Sequence, residues 1–151
     1  MDLILGGLLS QMDKKDQAII RELINNSRAT VKDIGKKTKI RPSTVHKRLQ
    51  KLKEERVIEK YTIKLNNKLA GQNFIVFMLV KTKPQTLIEE RTFRDPCIRE
   101  VFGITGDYDL LMKLKFNNIE EFNEFIIKFR KSNDIETTTT MISTAEIKEE
   151  L

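Results

Sequence analysis

The chain has 151 residues, 39% hydrophobic and 33% charged, with 28 Lys and Arg against 22 Asp and Glu for a formal charge of +6. That length admits one ordinary domain or two small ones and excludes a TIM barrel, a full Rossmann enzyme or a kinase. One Cys cannot close an internal disulfide, and the longest apolar run, residues 74–80, is strand-sized and far short of a bilayer span, so a cytoplasmic protein without a membrane segment is expected.

Charge is unevenly spread. Up to Leu65 there are 16 Lys and Arg against 8 Asp and Glu; beyond it there are 12 against 14, so a +8 front is joined to a −2 rear. This asymmetry predicts two modules, one of which meets a polyanion, although a lysine-rich solvated surface would look the same by charge alone. Residues 1–11 open with an acid and have a short apolar stretch broken by glycines, unlike a secretory leader, and are read as an N-terminal extension.

The first helix is predicted over residues 13–24, with Ala18, Ile19, Leu23 and Ile24 at helical spacing, Asp13 as cap and Asp16 near the positive end. A second is expected over residues 30–38, where Thr30 and Asp33 suit a capping box and Val31, Ile34 and Gly35 face inward. After a break at residues 39–41, Pro42 fits the first position of a third helix whose inner face carries Val45, Leu49 and Leu52. Two short helices joined by a tight turn behind a supporting helix make a helix-turn-helix, the later helix of which enters the major groove of double-stranded DNA.

The candidate DNA-binding residues are Arg41, Ser43, Thr44, His46, Lys47, Arg48 and Lys51. Ser43, Thr44 and His46, near the start of the third helix, are placed to reach base edges. Lys47, Arg48 and Lys51 suit phosphate, or guanine in the case of Arg48. The plain alternative for each lysine is solvent exposure. His46 has no Cys or His neighbour, so no metal site is expected.

The remaining elements are a strand at residues 61–65, a linker through residue 73, and a second module from Phe74 to the end. Residues 74–80 are apolar on both faces, which predicts helices on one side and another subunit on the other. A helix is expected within residues 86–94, strands at 98–104 and 109–116, a helix capped by Asn118 with Ile119, Phe122, Phe125, Ile126 and Phe129 on one stripe, and a last strand at 135–147. The order β-α-β-β-α-β is the ferredoxin-like split unit, so the chain is α+β.

Residues 12–16, the block Ser43-Thr44-Val45-His46-Lys47-Arg48-Leu49 with Lys51-Leu52, and Val57-Ile58-Glu59-Lys60-Tyr61-Thr62 together resemble the winged helix-turn-helix and exit strand of the Lrp/AsnC, or feast/famine, transcription regulators. The resemblance spans nearly the whole chain from Met12. It implies a DNA-binding domain at 12–60, a hinge strand and linker at 61–73 and a ferredoxin-like sensing and pairing domain at 74–151. Three positions depart from the family pattern: Lys39 and Arg56 stand where it usually has glycine, and Arg41 where it has a capping Ser. Each replaced glycine is expected to need a left-handed backbone.

The segment Val101-Phe102-Gly103-Ile104-Thr105-Gly106-Asp107-Tyr108-Asp109 resembles the family's effector signature, a turn at a ligand pocket between dimers. Thr105, Gly106, Asp107, Tyr108 and Asp109 are the candidate effector-binding residues. Gly106 can present amides to a carboxylate while Asp107 and Asp109 accept from an ammonium group, as an amino-acid effector requires; the alternative is an Asx-turn in which the aspartates bond their own backbone. The resemblance also implies a homodimer and, beyond it, an octamer.

Enzymatic function is not expected: one His and one Cys in separate modules form no triad, and HExxH, CxxC and a phosphate-cradling glycine loop are all missing. Two further readings stand beside the sequence-specific regulator. One is a low-specificity architectural DNA binder. The other is a siroheme-decarboxylase-like enzyme, since such tetrapyrrole decarboxylases resemble this regulator fold; the net acidic, His-free second module speaks against it.

Overall fold

A computed structural model describes residues 12–86, 88–132 and 134–149; the expected extension at 1–11 lies outside the described residues. The chain divides into two compact units, Met1–Ile63 and Lys64–Leu151.

The first unit is built on helices α1 (Lys14–Asn25), α2 (Val31–Thr38) and α3 (Pro42–Glu54). Each starts as its sequence dictates. Asp13 accepts from the Lys15 amide at 2.7 Å. Thr30 and Asp33 form the reciprocal capping box, and Pro42 fills the first turn of α3, where no amide partner is needed. Ile19, Ile34, Ile40 and Val45 make one buried cluster, with Leu23, Val31 and Leu49 packed around it. Each such side chain contributes about 1.5–3 kcal/mol by leaving water. Ile24, expected inside, is 49% exposed, while Leu23 beside it takes the place against the cluster. Gly35 is buried against the turn: a Cβ there would lie 2.7 Å from the Ile40 carbonyl oxygen. Lys39 and Arg56 both hold the left-handed backbone expected of them, with φ of 58° and 55°.

The expected strand at residues 61–65 does not form. A strand needs a ladder partner for its amides, and none is offered among the described residues; the segment is exposed, and the Lys53 ammonium lies 5.0 Å from the centre of the Tyr61 ring.

The second unit is a four-stranded antiparallel sheet of β1 (Phe74–Thr82), β2 (Ile98–Gly103), β3 (Leu110–Phe116) and β4 (Ile135–Ile142), in the order β2-β3-β1-β4, with helix α4 (Ile119–Ser132) between β3 and β4. The register pairs Met78 with Met112 and with Thr140. Val76, Met78 and Val80 of β1 and Met112, Leu114 and Phe116 of β3 form the core with Phe122, Ile126 and Phe129 of α4. Asn118 caps α4, accepting from the Glu121 amide at 3.0 Å. The fold class and the strand arrangement of the split unit are therefore as the sequence implies, with a 3-10 turn in place of its first helix.

Two elements are shorter than expected. Within the helix sought at 86–94, of which Leu87 lies outside the described residues, a 3-10 turn forms at Glu90–Arg94, and among the described residues of the segment Ile88 and Phe93 pack against the core. The last strand stops at Ile142, since β1 begins at Phe74 and supplies one further bond, from the Ser143 amide to the Ile75 carbonyl at 2.9 Å.

Alternation places Ile75, Phe77 and Leu79 on the sheet face opposite α4, opposite Lys115, Lys113 and Leu111 of β3 in the register. On that face the chain folds back through Glu149. Its carboxylate accepts from Lys115 at 2.8 Å, from Asn67 at 3.0 Å and pairs with Lys113. Burial works to raise this carboxyl, but the two ammonium groups and the amide outweigh it and hold its pKa down at about 2.

Candidate DNA interface and effector turn

Helix α3 is oriented by its apolar stripe. Val45 and Leu52 are shut from solvent, so the opposite arc must face outward. Ser43, His46, Lys47 and Lys51 are exposed there, as is Arg41 immediately before the helix; Thr44, at the edge of the arc, is half-buried. Arg41 caps nothing with its side chain. Lys51 stands 3.7 Å from the Glu55 carboxylate in an exposed pair, which holds neither group strongly. The arc combines hydroxyl, imidazole and ammonium groups, the donors that phosphate oxygens and base edges accept.

Arg48 points elsewhere. Its Nη1 donates to Asp16 Oδ1 at 2.8 Å and its Nη2 to Asp13 Oδ2 at 3.2 Å. Asp16 is 5% exposed, so the guanidinium compensates a buried carboxylate and ties α3 to α1. The hydrogen bond to Asp16 is the foremost cause of the raised guanidinium pKa. Arg48 follows Val45 by three residues and precedes Leu52 by four, which sets it beside the buried stripe and not in the middle of the outward arc. That spacing, with two acids one turn apart on α1, was the signal for this role.

In the second unit residues 104–109 connect β2 to β3. The Ile104 amide donates to the Asp109 carbonyl and the Asp109 amide to the Val80 carbonyl, both at 2.9 Å. Asp109 Oδ2 accepts from the Thr82 amide at 2.7 Å and the Thr82 hydroxyl at 2.9 Å, and these two bonds, the amide first, hold its carboxyl below the usual carboxylate range. Asp109 thus stitches the turn to the end of β1, a use neither the ammonium reading nor the Asx-turn foresaw. The Tyr108 hydroxyl lies 2.6 Å from the Thr139 hydroxyl of β4. Thr138, on the other face, instead accepts from Arg130 Nε at 3.1 Å, so the run of threonines Thr137, Thr138, Thr139 and Thr140 alternates between the two faces of β4.

Thr105, Gly106 and Asp107 remain exposed at the tip. Gly106 has φ of +122°, open to glycine alone at little cost, and a Cβ there or at Gly103 would meet nothing within 4 Å. The tip therefore faces open space. A separate cleft of about 760 Å³ is lined by Lys64, Asn66, Asn67, Asn73, Ser143 and Thr144, away from the turn.

Burial, with Asp95 second, pushes the Cys97 thiol well above its usual pKa, which leaves it a poor nucleophile. Among the described residues no group of three His, Cys, Asp or Glu side chains could hold a metal ion, and no helix is long and apolar enough to cross a membrane.

Residues 12–53 match the model of the AsnC-type helix-turn-helix domain, and residues 75–151 match that of the Lrp/AsnC ligand binding domain. The chain belongs to the Lrp/AsnC family. An uncharacterised HTH-type transcriptional regulator of Pyrococcus horikoshii is 36% identical over 146 residues, covering 93% of this chain and 97% of that protein. The HTH-type transcriptional regulator FL11 of Pyrococcus furiosus is 36% identical over 138 residues, 90% of this chain and 89% of its own. In fold, this Lrp/AsnC chain superposes on a Neisseria meningitidis transcriptional regulator crystallised with L-Met, with a TM-score of 0.80 at 21% identity, covering 92% and 94% of the two chains. The protein is a DNA-binding transcriptional regulator of the Lrp/AsnC type, and its relatives are named as regulators and not as enzymes.

Proposed function

We propose that this regulator binds DNA sequence-specifically as a dimer, with the outer arc of α3 in the major groove, and that a small amino acid or related metabolite modulates it at the 105–109 turn. The observation that carries the DNA reading is the exposed arc of Ser43, His46, Lys47 and Lys51 on a helix whose other side is anchored both by Val45 and Leu52 and by Arg48. Ser43 and His46 read bases. Arg41, Lys47 and Lys51 hold phosphates, and Thr44 lies at the margin of the interface.

Pairing is supported by the sheet face opposite α4, where Phe102 and Met141 are 52% and 46% exposed beside Phe77 and Leu79. A second copy covers this apolar surface and delivers two α3 helices about 34 Å apart, or a multiple of it, onto a near-palindromic site. The effector reading rests on the open tip: Asp107 accepts an ammonium group, the Gly106 backbone approaches a carboxylate, and the partner copy encloses what one chain leaves open. L-Met bound to the Neisseria neighbour makes an amino acid the first class to test.

Selection of bound duplexes from a random pool, followed by affinity against salt for selected and scrambled duplexes, tests the DNA reading. A recovered motif with two half-sites and a tighter selected duplex supports it; equal affinity and equal slope for both would leave only architectural backbone binding.

A further inference from the structure

Two of the three non-glycine residues with positive φ among the described residues bracket one helix: Lys39 before α3 and Arg56 after it. Both sites are built alike. A helix ends, one residue turns left-handed, and a buried or half-buried isoleucine shortly after donates its amide backward, Ile40 to the Gly35 carbonyl at 3.1 Å and Ile58 to the Leu52 carbonyl at 3.0 Å. A left-handed backbone suits glycine and strains any side chain bearing a Cβ. Each site nevertheless carries a long cation, exposed and without an ion-pair partner among the described residues. Lys37, Arg48, Lys51 and Lys53 have such partners in Glu22, in Asp13 and Asp16, in Glu55 and over Tyr61, whereas Arg41 and Lys47 stand exposed like Lys39 and Arg56.

Neither side chain packs into the unit, so folding does not account for tolerating the strain at both positions; strain kept in this way marks a functional demand. We propose that Lys39 and Arg56 are a pair of phosphate clamps at the two ends of α3, giving sequence-independent affinity. The helix of 13 residues is about 20 Å long, more than the roughly 12 Å width of the major groove, so a cation at each end meets the backbones that flank the groove. Both side chains are exposed, and Ser43 and His46 are left to the bases.

This proposal rests on the DNA reading above, and the test separates the two. In the full chain, Lys39→Gly and Arg56→Gly are combined and compared with the unaltered protein by thermal melting and by titration of selected and scrambled duplexes over a range of salt. The melting temperature is expected to hold or rise by up to about 5 °C. Affinity is expected to fall about ten-fold for both duplexes alike, with the log–log salt slope reduced by about 0.9 for each phosphate that is no longer neutralised. Lys39→Arg, keeping the charge, should retain affinity. Unchanged affinity and slope in the double glycine variant overturn the clamp while the DNA reading stands. So does a drop in melting temperature, which would make the two side chains structural. If the unaltered protein binds no duplex, both readings fall together.

Discussion

The two units carry lysines and arginines in similar numbers but use them oppositely. In the rear sheet the cations are spent on neighbours: Lys81 on Glu136, Lys83 on Asp134, Lys113 on Glu100 and Glu149, Lys115 on Glu149. In the front unit Arg41 and Lys47 stand exposed around the outer side of α3, while Arg48 is drawn into the structure. Net charge is therefore a poor guide to a polyanion site. What matters is whether a carboxylate lies within reach of each cation, and among the described residues the front unit keeps its carboxylates on α1 and its cap, on α2, and at or beyond the far end of α3.

The sharpest break of this contrast is Arg48→Ala. It strips Asp16 of its partner in a nearly closed site and should cost the first unit about 3 kcal/mol in chemical denaturation, with Arg48→Lys restoring only part because an ammonium cannot bridge two carboxylates as the guanidinium fork does. A loss below about 0.5 kcal/mol would return Arg48 to the class of free cations.

Next comes the mirror case in the rear. Glu149 has its pKa lowered from 4.5 to about 2, so its contribution is complete above pH 4.5 and disappears as the pH falls through about 2. Stability of the second unit should decline across that window by on the order of 2 kcal/mol beyond the trend shown by Glu149→Gln. Superimposable pH curves for the two proteins would remove the carboxylate from the account.

Smaller still in folding terms is Lys47→Ala, which should move stability by no more than about 0.5 kcal/mol yet weaken duplex binding several-fold in a gel shift. Asp107→Ala should likewise leave melting unchanged, while the stabilisation by millimolar amino acids expected of the unaltered protein disappears. Retained stabilisation would move the effector to another site, the 760 Å³ cleft by Lys64 and Asn67 being the first to examine.

The residues that announced themselves in the sequence are those whose partners lie within one turn. Asp13, Thr30 with Asp33, and Asn118 cap helices because the free amides they serve are two or three positions away, and Pro42 opens α3 because its own missing amide costs nothing there. The alternation of Met112, Leu114 and Phe116 with Lys113 and Lys115 likewise declared the two faces of β3, and Lys39 and Arg56 were marked as left-handed by standing where the resembled family usually has glycine. Less legible were the elements that depend on neighbours: residues 61–65 have strand composition but no ladder partner among the described residues, and 86–94 has helical spacing but settles into a 3-10 turn at Glu90–Arg94.

Local order along the chain thus determined the α+β class, the caps, the inward stripes of α1 to α4 apart from the exposed Ile24 and Ile119, and the front-heavy charge. Tertiary structure alone decided which charges are free. Arg48 finds Asp16 across 32 positions, Lys115 finds Glu149 across 34, and Asp109 finds Thr82 across 27. Spacing along a helix or strand carries no record of such distances. A side chain's charge is committed only when packing closes water out and brings an opposite group within hydrogen-bond reach.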